Sequence, residues 1–229
     1  MIAKAFNRAG AKPEGSSGTD LLEAILQERP DLKDQNAYFP SQGQKGYTII
    51  IGDEVFKGPR QISGECRDDF ETECNVLKQL ENSGLPIPKL TTIGKEHFFL
   101  GMTKVPGEQM GHDLTMDQQR TLAKELIDFV VGMAKALPMK DGKFATHDDL
   151  WYANILVDPD TKHLTGVIDF GKVKYITAKE WKPMFDFSGT PFEKLMQDEF
   201  DRRKSELPSA AASAPAKTGF ARLFSWGNR

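Results

Sequence analysis

Apolar residues recur with a helical period in four stretches of the chain. The spacing predicts a short helix that begins near Thr19 and stops at Pro30, and longer helices over residues 65–81, 115–137 and 191–207. The stretch over residues 115–137 carries the clearest apolar stripe, which indicates the core of a helical lobe rather than a cofactor site.

Short β-favouring runs lie between these helices. Residues 47–51 and 54–57 flank a Gly-Asp turn, and residues 155–157 and 164–168 flank a turn rich in Asp and Pro, so each pair predicts a hairpin. A further run over residues 97–102 predicts a buried strand that leads to a Pro-Gly turn.

The second hairpin carries a set of oxygen-bearing side chains. Folding back at its turn brings Asn154 and Asp169 to the same open end of the hairpin, and Asp149 lies in the loop just before it. Mg²⁺ prefers oxygen ligands and usually takes only one or two carboxylates from a protein, with water and phosphates completing its shell. Asp149 is then free to orient an attacking hydroxyl and to accept its proton, which outlines a phosphotransfer site.

The segment from His147 to Gly171 resembles the catalytic loop and metal-binding strands of the protein-kinase-like superfamily. It reads His-x-Asp-Leu-x-x-x-Asn and then Asp-Phe-Gly, and it is most similar to the aminoglycoside-phosphotransferase branch. The resemblance implies ATP and Mg²⁺ as cofactors. It also implies that Asp149 and His147 are catalytic residues and that Asn154 and Asp169 are metal ligands.

The same resemblance gives roles to residues upstream. Taken alone, Lys57 favours a solvated strand edge, but the family's pattern implies that it contacts nucleotide phosphates and is held by Glu73, with Glu71 as the alternative partner. A glycine-bearing loop with Gly43 and Gly46 would let backbone N–H groups approach phosphates, although it lacks the fuller glycine-rich pattern. The residues expected at the hinge, against the adenine ring, are Met102, Thr103, Lys104 and Val105.

The resemblance implies an α+β fold, the two-lobed protein-kinase-like fold in minimal form with a truncated C-terminal lobe. The expected organisation is a flexible leader (1–18), a nucleotide-binding N-lobe (19–104), a reduced C-lobe (105–207) and a low-complexity tail (208–229). After Asp169, the chain is expected to form a strand, a helical turn near residues 178–181 and one more helix, fewer than about forty structured residues in all. That is too short for a usual activation segment or for the helical extension of aminoglycoside kinases.

Small size, the reduced C-lobe and the flexible leader are similar to the HopBF family of bacterial type III effector kinases, over about residues 40–205. This resemblance implies a monomeric Ser/Thr protein kinase that is secreted into the host cell cytoplasm and acts on the ninety-kilodalton heat-shock chaperone. One alternative is a small-molecule phosphotransferase of the aminoglycoside type. The other is a pseudokinase that serves only as a binding module, although pseudokinases usually lack a metal ligand or the strand lysine.

Composition narrows the remaining classes. With a net charge of −3 the chain has no basic excess, so nucleic acid is not an expected partner. No run approaches the roughly 18 apolar residues of a membrane span, so no integral membrane segment is expected. Cys66 and Cys74 lie in one predicted helix, which is poor geometry for a disulfide and offers too few ligands for zinc. Asp148 stands where many regulated kinases carry Arg, so control through a phosphorylated activation loop is not expected.

Overall fold

The N-terminal lobe is built on an antiparallel sheet. The computed structural model describes residues 18–40, 46–60, 64–183 and 187–208. The strands of this lobe are β1 (Ala37–Tyr38), β2 (Gly46–Ile51), β3 (Glu54–Pro59), β4 (Leu90–Ile93) and β5 (Leu100–Thr103). They are ordered β1-β2-β3-β5-β4, and the predicted hairpin of β2 with β3 is confirmed, with Thr48 opposite Lys57.

Two helices cover this sheet. Helix α1 (Gly18–Glu28) buries Leu21 and Ile25, which are four residues apart and therefore share one face. They pack in a cluster with residues of β2, β3 and the segment before β5: Ile49, Ile51, Phe56 and Phe99. Helix α2 (Glu65–Leu80) confirms the helix predicted over residues 65–81. Its buried residues are Glu73, Cys74, Val76, Leu77 and Leu80.

The C-terminal lobe contains the long helix α3 (Met116–Ala136) and helix α4 (Pro191–Arg203), which is followed by a short 3-10 helix over residues 204–206. Helix α3 begins with a capping box, because the Thr115 side chain accepts from the Gln118 backbone and the Gln118 side chain accepts in return from the Thr115 backbone. The predicted apolar stripe of α3 is buried, and α4 packs against it through Phe192, Met196 and Phe200.

Two small antiparallel sheets complete this lobe. Strands β6 (Glu108–Gln109), β8 (Ile155–Val157) and β9 (Leu164–Val167) form one, and β7 (Phe144–His147) pairs with β10 (Val173–Ile176) in the other. The hairpin of β8 with β9 and the strand after Asp169 are as predicted. Near residues 178–181, where the sequence predicts a helical turn, the chain makes one hydrogen-bonded turn, in which Glu180 N donates to Thr177 O, and this turn does not extend into a longer helix.

The two lobes share one apolar core. Val76, Leu77 and Leu80 of α2 belong to the same buried cluster as the stripe of α3 and Phe170. Close backbone approach joins the lobes at the hinge, since Val167 N donates to Pro86 O and a Cβ at Gly166 would lie only 2.4 Å from Val105 Cγ1. This continuity fixes the position of α2 relative to the loops of the second lobe.

The ends of the chain lie largely outside the described residues. The predicted leader and tail fall there except for Gly18 and Pro208, so the predicted domain boundaries stay predictions. Both Cys66 and Cys74 are free thiols. Across the described ranges, no helix has the length and apolar character needed to cross a bilayer.

The shared core predicts the effect of removing its centre. Leu77 is 1% exposed, so Leu77→Ala leaves a cavity between α2 and α3 and should lower the free energy of unfolding by about 2–5 kcal/mol. The matched control is Met116→Ala, because Met116 is 44% exposed and its truncation should change stability by less than about 0.5 kcal/mol. Chemical denaturation measures both, and equal losses would contradict the packing described above.

Candidate active site

A cleft of about 340 Å³ lies between the lobes. It combines side chains of the sheet and α2 with side chains of the loops around β8 and β9. The residues that line it are Gly46, Tyr47, Thr48, Lys57, Gly58, Pro59, Cys66, Asp69, Phe70, Glu73, Asp149, Trp151, Asn154, Asp169, Gly171 and Lys172.

Lys57 is the centre of an ion-pair network in this cleft. Its Nζ donates to Glu73 Oε1 at 2.8 Å and Oε2 at 3.0 Å, and to Asp169 Oδ1 at 3.0 Å. Glu73 is only 4% exposed, on the inner face of α2. The alternative partner, Glu71, instead accepts from Arg67 Nε at 2.8 Å. The structure therefore places together the lysine and the glutamate that the sequence paired.

Two members of the network, Lys57 and Asp169, keep their charges at neutral pH, whereas burial raises the pKa of Glu73. Burial by itself lowers the pKa of Lys57, but the carboxylates of Glu73 and Asp169 outweigh it and raise that pKa above its usual value. Burial by itself raises the pKa of Asp169, but the Lys57 ammonium outweighs it and holds the carboxyl below its usual range. A charged lysine and a charged aspartate therefore face the cleft.

The backbone at Asp169 is constrained as well. Its φ of 68° lies in the left-handed region, which Asp tolerates better than most residues but which still costs free energy. Two features of the next residue, Phe170, hold the turn. Its N–H donates to Glu73 Oε1 at 3.3 Å, and its ring is fully buried in the shared core. Glu73 thus binds both the side chain of Lys57 and the backbone beside Asp169.

Asp149 lies in the loop between β7 and a short 3-10 helix over residues 152–154. The buried Asn154 side chain holds this loop, because its Nδ2 donates to Asp149 O at 2.8 Å. The same Nδ2 lies 3.4 Å from Asp149 Oδ2. The Asp149 side chain is 27% exposed and lines the cleft, so it is held in place yet accessible to a substrate hydroxyl.

His147 does not line the cleft with Asp149. It is 4% exposed, with Nε2 at 3.1 Å from Ile168 O and Nδ1 at 3.2 Å from Asp149 N. The two contacts fit a neutral ring whose Nε2–H donates and whose Nδ1 accepts. Burial lowers the pKa of His147, which favours this neutral form. The catalytic role expected for His147 is therefore corrected to a positioning role, because its ring reaches backbone groups rather than the cleft.

Asn154 and Asp169 fit the oxygen-ligand site expected for Mg²⁺. Because Asn154 Nδ2 is engaged with Asp149, Asn154 Oδ1 is the atom left to bind a cation. In the part of the chain that the structure describes, no three His, Cys, Asp or Glu side chains form a metal-binding group. One carboxylate and one amide oxygen match the usual magnesium site, in which water and nucleotide phosphates supply the other ligands.

Of the residues expected around the nucleotide, only some line the cleft. Gly46 lines the cleft, whereas Gly43 lies outside the described residues. The hinge segment Met102–Val105 does not line the cleft. Its Thr103 and Lys104 N–H groups already donate to Lys89 O and Asp53 O, both at 2.8 Å. Adenine hydrogen bonds at those two N–H groups are therefore not available in this arrangement.

The sequence interpretation missed several residues that line the cleft: Cys66, Asp69, Trp151 and Lys172. Trp151 is 39% exposed beside Asp149. Lys172 lies 3.7 Å from Asp149 Oδ1, measured from its Nζ. The available signal was positional, since Lys172 follows the Asp-Phe-Gly segment and begins a predicted strand, but its partner strand was not identified in the sequence.

The buried, neutral His147 predicts a pH dependence of stability. Its pKa is lowered in the folded state, so the unfolded chain takes up a proton first as the pH falls below about 6.5, and stability should fall between pH 7 and pH 5. His147→Asn should flatten that curve in chemical denaturation measured across this range.

The control is His163→Asn, which removes a histidine whose pKa is shifted in the opposite direction. The hydrogen bond that His163 Nδ1–H donates to the Glu125 carboxylate raises the pKa of His163, so its protonation favours the folded state as the pH falls. Its loss should make the decline of stability steeper. An unchanged slope in His147→Asn would rule out the neutral ring as the source of the effect.

No protein-family model matches the sequence, and no curated protein matches it. Solved structures do match. Aminoglycoside 2'-phosphotransferase-IIIa in its GDP complex superposes with a TM-score of 0.69 at 19% identity, over 83% of this chain and 88% of that one. ADP-bound aminoglycoside phosphotransferase APH(2'')-Ib superposes with a TM-score of 0.62 at 16% identity, over 80% and 83% of the two chains.

A third match is aminoglycoside phosphotransferase APH(3'')-Id from Streptomyces rimosus ATCC10970. Its TM-score is 0.55 at 15% identity, over 82% of this chain and 91% of that one. At these identities the matches establish the fold. The chain has the small, mixed α/β, protein-kinase-like fold that aminoglycoside phosphotransferases also have.

Proposed function

We propose that this protein is an ATP- and Mg²⁺-dependent phosphotransferase that acts on a hydroxyl group. The observation that carries the proposal is the convergence of Lys57, Asp149, Asn154 and Asp169 on one cleft, with Lys57 held by the buried Glu73. Fold similarity alone does not assign a reaction, because one fold hosts many functions. The nucleotide complexes among the matching structures, with GDP and with ADP, support a purine nucleotide as the donor.

The geometry suggests how the transfer proceeds. Asp149 accepts the proton of the acceptor hydroxyl while the acceptor oxygen forms a bond to the γ-phosphorus. The bond from that phosphorus to the β,γ-bridging oxygen breaks, and its electron pair leaves with ADP. Lys57 offsets phosphate charge from the other side of the cleft, and Glu73 orients Lys57. Asn154 and Asp169 would hold Mg²⁺, which neutralises phosphate charge when bound.

Small-molecule acceptors of the aminoglycoside type are the first candidate class, because the matching solved structures are aminoglycoside phosphotransferases. A Ser or Thr hydroxyl of a protein is the second. It is favoured by the lysines near the catalytic loop, since Lys172 lies beside Asp149 and Lys174 beside Asp148, and positive charge there opposes a polycation. Secretion into a host cell and action on its heat-shock chaperone stay predictions of the HopBF resemblance.

The base assignment predicts a large loss of turnover in Asp149→Asn. Removing the proton acceptor while keeping the side-chain shape should lower kcat by about 10²–10⁴-fold. The matched control is Asp148→Asn, the adjacent acid, which pairs with Lys174 and does not line the cleft, and which should retain turnover near that of the wild type.

The measurement is transfer of radiolabelled γ-phosphate from Mg·ATP, with a eukaryotic lysate in one reaction and a panel of aminoglycosides in another. Label that depends on Asp149 supports the proposal, and the labelled tube identifies the acceptor class. Turnover in Asp149→Asn equal to that of the wild type would contradict the assignment. Nucleotide binding without transfer to either panel or to water would instead favour the pseudokinase alternative.

A further inference from the structure

We propose that Lys172 is a further catalytic residue, one that binds the γ-phosphoryl group as it passes from ATP to the acceptor. The inference rests on the proposed phosphotransferase activity and adds a residue to it. Lys172 directly follows the Asp-Phe-Gly segment, Asp169–Gly171, and is not a position of the kinase-like motif.

Lys172 lies at the place where the transfer has to occur. Its side chain lines the same cleft as Lys57, Asn154 and Asp169, and its Nζ is 3.7 Å from Asp149 Oδ1. Under the proposed function, the nucleotide lies in this cleft and the acceptor hydroxyl at Asp149, so a group of the cleft this near to Asp149 faces the phosphoryl group in transit. A cation at that point would meet the three equatorial oxygens of the phosphoryl group, on which negative charge is spread during transfer.

Of the two described cationic side chains that line the cleft, Lys172 is the one whose ammonium is available to a phosphate. Among the described residues, the cationic side chains that line the cleft are Lys57 and Lys172. Lys57 already donates to both Glu73 and Asp169 at 2.8–3.0 Å. The contact of Lys172 to Asp149 is longer than a hydrogen bond, and 44% of its side chain is exposed. Lys172 can therefore turn to a phosphate without breaking a buried ion pair.

The backbone of Lys172 is held by neighbouring elements, although 44% of its side chain is exposed. Lys172 O accepts from Asp148 N at 2.9 Å, and the next residue, Val173, pairs with His147 in the β7–β10 ladder. On the other side, Gly171 passes so close to α2 that a Cβ there would lie 3.2 Å from Asp69 Cβ. These contacts fix the point from which the Lys172 side chain extends into the cleft.

A solvated surface lysine is the ordinary alternative, and Lys143 provides an example for comparison. Its side chain is 43% exposed and lies 4.0 Å from Glu180, so its exposure and ion pairing closely match those of Lys172. Lys143 does not line the nucleotide cleft. The two lysines differ in location rather than in local environment, which makes Lys143→Ala the control variant.

The test uses the full-length protein and needs no identified acceptor, because water also accepts the phosphoryl group. The bond changes are those given above, with water as the attacking hydroxyl and inorganic phosphate as the product. Hydrolysis of Mg·ATP is measured for the wild type, Lys172→Ala, Lys172→Arg and Lys143→Ala. Calorimetry then measures binding of Mg·ADP alone and of Mg·ADP with aluminium fluoride, which imitates the phosphoryl group in transit.

Lys172→Ala should lower kcat by about 10²-fold or more while KM for ATP changes less than about twofold, since the contact forms during transfer. Affinity for Mg·ADP should stay unchanged, and the extra affinity given by aluminium fluoride should be lost. Lys172→Arg should recover much of the lost kcat and of the extra affinity given by aluminium fluoride. Lys143→Ala should match the wild type in both quantities.

Three outcomes would overturn the inference. They are an unchanged kcat in Lys172→Ala, an equal loss of Mg·ADP affinity, which would indicate a structural role, and an equal effect in Lys143→Ala. A wild-type protein that binds Mg·ADP but neither hydrolyses ATP nor gains affinity from aluminium fluoride would overturn the proposed function, and the role of Lys172 with it. The two failures are distinct, because the first set requires an active wild type.

Discussion

The ion-pair network of Lys57 with Glu73 and Asp169 is the interaction on which the rest of the site depends. It joins β3, α2 and the segment after β9, three parts of the chain that are far apart in sequence. Glu73 is buried, and a buried carboxylate that loses its ammonium partner in such a network is costly, about 3–5 kcal/mol when the pair is fully buried. The cleft therefore keeps its shape only while all three elements remain docked.

The catalytic loop is held by a second, independent set of contacts. His147 links the Asp149 backbone to Ile168 O, and Asn154 binds the Asp149 carbonyl. The β7–β10 ladder closes the loop from outside. Because these contacts reach backbone atoms, they fix the position of the Asp149 side chain without neutralising it. Under the proposed function, a carboxylate held in this way beside Asn154 and Asp169 is the arrangement that phosphoryl transfer requires.

Two side chains beside Asp149 bear on the choice of acceptor under the proposed function. The surface beside Asp149 carries Trp151 and Lys172, which both line the cleft. Substrate choice depends on such residues rather than on the fold. An exposed indole next to the base offers an apolar contact, and a lysine on the other side adds positive charge. Under the proposed function, this positive charge would oppose binding of a polycationic acceptor.

The sequence by itself determined the local features. Helical spacing located α2 and α3, turn residues located the two hairpins, and motif spacing identified Asp149, Asn154 and Asp169, because each of these signals arises between near neighbours in the chain. The pairing of Lys57 with Glu73 was also predicted, but through the resemblance to the kinase-like pattern, because Lys57 taken alone favours a solvated strand edge.

Only the tertiary structure decided which distant groups meet. The bond of Lys57 to Asp169 spans 112 residues, and no periodicity encodes it. The inward position of His147, the occupied N–H groups of the hinge and the approach of Lys172 to Asp149 likewise follow from how β7, β10 and the sheet dock together. Propensity and spacing describe one element at a time, whereas these contacts are set by the packing of several elements around a shared core.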